Sequence, residues 1–139
     1  MATIAGIRDQ LATLAKNADA DLHEYDVATG SERLPAVVVF PETWEDMTAA
    51  NAVPAFRFVV EIYVGIARKL SIAQDEMDAY INPTGTRSIP AAIRADRTLG
   101  GTVDSTRVFG PTRYGLTELN GNTGVPNALM ARLPVEVLP

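Results

Sequence analysis

Glu42, Glu45 and Asp46 crowd three carboxylates into the short stretch PETWED. Paired carboxylates can hold Ca²⁺ or act as general acid and base. A calcium loop, however, places ligands at alternating positions around a glycine at its bend, and PETWED has neither feature. The cluster therefore reads as an acidic loop facing solvent or a partner. His23 is the only histidine, with Asp26 and Ser31 close behind it in sequence. A hydrolytic triad needs three groups converging in space, and no nucleophile-elbow sequence is present. His23 reads as a surface residue between a helix and a strand, and one histidine without cysteines argues against a transition-metal site.

The third chemical candidate is Gly100-Gly101 in RADRTLGGTVDSTRV. A phosphate cradle runs from a strand through glycines into a helix N-terminus, where free N–H groups and the positive dipole end meet the anion. Here the order is helix, glycines, strand. A helix C-terminus presents carbonyls, so Gly100 is expected to be the left-handed residue that stops the helix, and Gly101 to complete the reversal. Asp75, Glu76 and Asp78 read as a solvated helix face. Arg57, Arg87, Arg107 and Arg113 are either ordinary surface charges or partners for carboxylates on another subunit. Trp44, the only tryptophan, either folds back on its domain or anchors a neighbour, since tryptophan is enriched among interface hot spots. No cofactor and no metal are expected.

These residues belong to a chain of 139 residues with no cysteine and a formal charge of −5. The length suits one domain, 1–139, able to bury a core without disulfides. No apolar run approaches a membrane span or a secretory signal, so a soluble protein is expected. Lysine is confined to Lys16 and Lys69, while ten arginines are spread along the chain. That pattern argues against tight DNA binding, which clusters basic residues on phosphates, and fits protein interfaces better.

Ile4, Ile7, Leu11 and Leu14 recur at helical spacing, predicting a one-sided helix over 3–18 capped by Thr3. LPAVVVF at 34–40 reads as a short buried strand, and 41–54, bracketed by prolines, as a long protruding loop. Residues 55–67 alternate: Phe56, Phe58, Val60, Ile62, Val64 and Ile66 share one face. The opposite face, Arg57, Val59, Glu61, Tyr63 and Gly65, is mixed, so this long strand either outreaches its core or meets a second surface. SIAQ at 71–74 matches a capping box for a second helix, with Ala73, Met77, Tyr80 and Ile81 inward. NPTGT at 82–86 breaks it, and Ser88 caps a short third helix with Pro90 in its first turn. Strands are expected at 103–109 and 113–119, and a final one alternates from Leu129 to Val137. Pro134 should put that last strand at an edge or impose a bulge. The sum is an α+β domain with a mixed, largely antiparallel sheet and helices packed on one face.

One pattern goes beyond local reading. The opening MATIAGIRDQLATLAKN, the stretch AQDEMDAYINPTGTRSIPAAIRADRTLGGTVDSTRVFGPTRYG and the closing VEVL together resemble tail terminator proteins of long-tailed bacteriophages, particularly those infecting actinobacteria. The most telling positions are Asp78-Ala79-Tyr80, Ser88, Ala91-Ala92-Ile93, Asp96, Thr98-Leu99-Gly100-Gly101, Val108 and Tyr114-Gly115. The likeness spans most of the chain and carries no reaction chemistry. It departs in NGNTGVPNALMARLPVEVLP, where a glycine loop and Pro134 interrupt the expected closing strand. The resemblance implies a non-enzymatic virion subunit. It would form a homo-oligomeric ring, usually a hexamer, on the head-proximal end of the tail tube. That ring stops the tail tube protein from polymerising further and presents a surface to the head's connector, while DNA passes through its lumen unheld. The alternatives are another neck or head-tail connector protein, a small-ligand-binding α+β domain, or an enzyme using the loop carboxylates.

Overall fold

The computed structural model describes residues 3–25, 34–44, 56–66, 69–118 and 126–138. They form three helices and a six-stranded sheet: α1 (Ile4–Lys16), β1 (His23–Tyr25), β2 (Ala36–Trp44), β3 (Phe56–Gly65), α2 (Leu70–Ile81), α3 (Ile89–Arg94), β4 (Ser105–Val108), β5 (Arg113–Thr117) and β6 (Ala128–Leu138). The strand order is β1-β2-β3-β6-β4, and β5 also pairs with β6. β1 runs parallel to β2 and every other pairing is antiparallel. The fold is α+β, with a mixed, largely antiparallel sheet and its helices on one face.

The helices form where capping and apolar spacing coincide. Thr3 accepts the Gly6 amide at 3.0 Å, and Ile7, Leu11, Ala12 and Ala15 turn inward. Ser88 caps α3 by accepting the Ala91 amide at 3.0 Å, with Pro90 in the first turn. The capping box expected at 71–74 is not formed. The N-cap is Lys69, and no side chain bonds the first turn of α2. Ser71 already lies inside that turn, where its hydroxyl cannot reach forward to cap it.

The core lies between the helices and one sheet face. Ile7, Leu11, Met77, Tyr80, Ile89 and Ile93 pack on Phe58, Val60, Ile62, Val64, Leu129, Leu133 and Val135, all essentially inaccessible to water. Period-two alternation puts these strand residues on the helix side, as the sequence leads one to expect for β3.

Two prolines do not stop their strands. β2 continues through Pro41 to Trp44, so the first residues of the expected loop are strand. The register slips between Pro41 and Thr43, and a bulge is where a missing N–H does least harm. The remainder of the loop, including Glu45 and Asp46, lies outside the described residues. Pro134 sits in neither an edge strand nor a bulge. β6 is central, and its register with β3 runs unbroken from Ala128↔Gly65 to Val137↔Phe56. On its other side β5 pairs residues 128–132 and β4 pairs 135–138, which leaves Pro134 in the gap between them. Its carbonyl accepts the Phe109 amide at 2.9 Å on that side, where its absent N–H would also point.

After α3 the chain reverses through Leu99, Gly100 and Gly101, with φ of 51°, 70° and 87°. Gly100 is left-handed as expected, but α3 has ended at Arg94 and Leu99 shares the conformation. The Asp96 carboxylate accepts the Gly100 amide at 2.9 Å, and the Thr98 hydroxyl accepts that of Gly101 at 3.2 Å. The amides a phosphate would need are already bonded within the chain.

Candidate functional site

The sheet face turned away from the helices carries a charged ladder built by cross-strand register. Arg57, Val59, Glu61 and Tyr63 of β3 lie opposite Glu136, Pro134, Arg132 and Met130 of β6. Arg107 of β4 lies opposite Glu136, and Arg113 of β5 opposite Arg132. Directly opposed side chains project to the same side and interact. Arg57 reaches Glu136 at 4.0 Å, and Arg132 reaches Glu61 at 3.7 Å. Arg107 lies over the Phe109 ring, 5.3 Å from its centroid.

Glu61 is the unusual member. Its side chain is only 10% exposed, against 42% for Arg132. A buried carboxylate needs partners to remain charged. Glu61 receives the Tyr63 hydroxyl at 3.0 Å as well as the Arg132 charge. The same arrangement keeps Tyr63 protonated: burial, then the Glu61 charge and the hydrogen bond to it, push its pKa up to about 12. Ala36, Val38, Val59 and Met130 on this face are buried too, although none belongs to the main core. The second face of β3 is thus an ionic and apolar surface in its own right.

Near one end of the ladder lies an open groove of about 400 Å³, lined by Glu42, Arg57, Phe109, Thr112, Pro134, Val135 and Glu136. Its floor is apolar and its rim carries opposite charges. Glu42, Arg57, Arg107 and Arg113, four of the residues singled out from sequence, therefore share one face. Trp44 closes β2 opposite Phe56; what its side chain does, like the positions of Glu45 and Asp46, falls outside the described residues.

Arg87 stands apart from the other arginines. It packs over the Tyr80 ring, 4.9 Å from the centroid, bonds Asp19 at 2.8 Å and the Tyr80 hydroxyl at 3.0 Å, and lies 3.7 Å from Glu76. Tyr80 in turn donates to Asp19 at 3.0 Å. This network ties Asp19 after α1, the second half of α2 and the turn before α3. Burial alone would raise the Asp19 pKa, but the Asp21 amide, Arg87 and Tyr80 outweigh it and lower the value. Burial and the Asp19 partnership raise that of Tyr80, against the pull of Arg87. Arg87 is an internal clamp, and Glu76 is drawn into it. Asp78 accepts the Tyr114 hydroxyl at 2.9 Å, so the acidic helix face is not wholly given to solvent.

The sequence signal missed at this site is Glu61 with Tyr63 and Arg132. An acid inside an apolar strand was visible, but its arginine partner is set by a pairing distant in sequence. His23 is the first residue of β1 and its amide donates to Pro35 at 3.0 Å; Asp26 and Ser31 lie outside the described residues. No group of three or more histidine, cysteine, aspartate or glutamate side chains converges on a possible metal position among the described residues. No described helix is long and apolar enough to cross a membrane. No protein-family model matches the chain, and no curated protein is significantly similar to it in sequence.

Proposed function

We propose that the protein is a ring-forming structural subunit of a long-tailed phage virion, a tail terminator that caps the head-proximal end of the tail tube. The observation that carries this reading is the two-faced sheet: one side is sealed by helices, and the other carries an ordered ladder of arginines and glutamates beside an open groove. Surfaces of this kind suit contact with another protein, where arginine pairs carboxylates bidentately and apolar groups exclude water. The sequence resemblance supplies the identity of the assembly. A closed ring buries one patch of each subunit against a different patch of the next. Ending a tube requires one ring face that fits the last tube subunits and another that rejects further copies. The overall negative charge favours a lumen that lets DNA slide, since a basic wall would hold phosphates.

The test is electron microscopy of tails from a phage lacking this protein. Tubes of irregular or excessive length would support termination. Tails of normal length that fail to join heads would move the protein to the connector side of the neck, and normal joined virions would refute both.

A further inference from the structure

Arg113 and Arg132 stand directly opposite each other across the β5–β6 pair on the outer face. Like charges so placed repel. Among the described residues one carboxylate, Glu61, serves this pair: it lies 3.7 Å from Arg132 and is shared with the Tyr63 hydroxyl. The Nε of Arg132 is buried without a hydrogen-bond partner, and Arg113 has no ion pair among the described residues. Among the described residues, two arginines here share one carboxylate.

The opposite condition holds on the helix side of the same sheet edge. Tyr114 and Leu116 of β5 point toward the helices, opposite Ala131 and Leu129. Tyr114 bonds Asp78, which brings the flank of α2 alongside β5. Ile72, Asp75 and Asp78 follow one another along that flank at helical spacing. Ile72 and Leu116 are 47% and 46% exposed, and Asp75 is exposed with no cation against it among the described residues. β5 has β6 on one side and no described strand on the other.

We propose that the Arg113–Arg132 pair receives Asp75 from the α2–β5 edge of a second copy of this chain, with Ile72 and Leu116 as the apolar part of the contact. The inference rests on the ring reading and names its two surfaces. They are two different patches, and joining one to the other repeatedly is the head-to-tail contact that a ring requires. The occupant is another copy because a complementary negative charge and exposed apolar residues occur together on this chain's own edge.

The test uses two single variants, Arg113→Glu and Asp75→Arg, each checked for an unchanged melting temperature. Assembly of each alone and of an equal mixture is read by sedimentation velocity. The expected result is that each variant alone assembles at least about tenfold more weakly than the unaltered chain, because the contact then meets like charges. The mixture recovers assembly, because every contact in an alternating ring then joins opposite charges or the original pair. Assembly of both variants at full strength, or failure of the mixture, overturns this contact and leaves the ring intact as a reading. An unaltered chain that stays a single subunit even when tail tubes are added overturns both.

Discussion

The two faces of β3 and β6 share one backbone and one register, yet are held by different physics. On the helix side, Phe58, Val60, Ile62, Leu129, Leu133 and Val135 lie out of contact with water. On the other side, Arg57, Glu61, Arg132 and Glu136 pair in two ion bridges at 4.0 Å and 3.7 Å. Apolar burial is not subject to charge screening and is worth about 1.5–3 kcal/mol per large side chain. The exposed pair Arg57–Glu136 belongs to a class worth about 0–1 kcal/mol and screened by salt, whereas Arg132–Glu61 is half sheltered by the burial of Glu61. The helix side therefore supplies most of the stability, although Ala36, Val38, Val59 and Met130 are buried on the ladder side as well.

Substitutions break this comparison in graded ways. The largest effect is expected from Phe58→Ala, which empties a fully buried ring site on β3. It should cost about 3–5 kcal/mol in urea unfolding. Next comes the internal clamp. Asp19→Asn or Arg87→Ala strips a charge-assisted bond from Tyr80 and breaks the Arg87–Asp19 pair, with an expected loss of about 1–3 kcal/mol. Asp19 has a lowered folded pKa, so its contribution is complete above the ordinary aspartate value of about 3.9 and disappears as pH falls through the folded value. Stability measured from pH 6 to 2 should therefore fall less steeply in Asp19→Asn than in the unaltered chain.

Gly100→Ala should cost about 1–2 kcal/mol through backbone strain alone. Its φ is 70° and an added Cβ would meet nothing within 4 Å. The smallest effect is expected for Arg57→Ala, whose bridge to Glu136 is long and exposed. A loss below about 0.5 kcal/mol in the isolated chain, with weaker assembly, would sharpen the contrast between faces. A loss as large as that of Phe58→Ala would erase it.

Much of the stabilising side was legible in the sequence, and little of the contact side. Ile7 and Leu11, or Phe58 and Val60, announce their burial through spacing a few residues long. Thr3 and Ser88 cap their helices by local bonds. The ladder depends on β3 meeting β6 and β6 meeting both β4 and β5, so no local window shows that Arg57, Arg107 and Arg113 share a face. Arg87 looks like its companions in sequence, and only the fold brings it to Asp19 and Tyr80. β1, a strand of three residues, has too little pattern to be seen and is fixed by pairing with β2. The prolines misled because a proline's cost depends on which way its missing N–H points. At Pro41 a bulge and at Pro134 an inter-strand gap remove the conflict. Ser71 misled for a related reason: a capping sequence is useful only if the helix begins at it, and α2 begins at Leu70.

The most direct measurement is to add the purified chain to isolated tail tubes and image the ends by electron microscopy. A ring is expected on one end of each tube, lost when Arg57, Arg107 and Arg113 are replaced together by glutamate in a chain that still folds. Bare ends with the unaltered chain, or rings undiminished by the triple replacement, would contradict the ring reading.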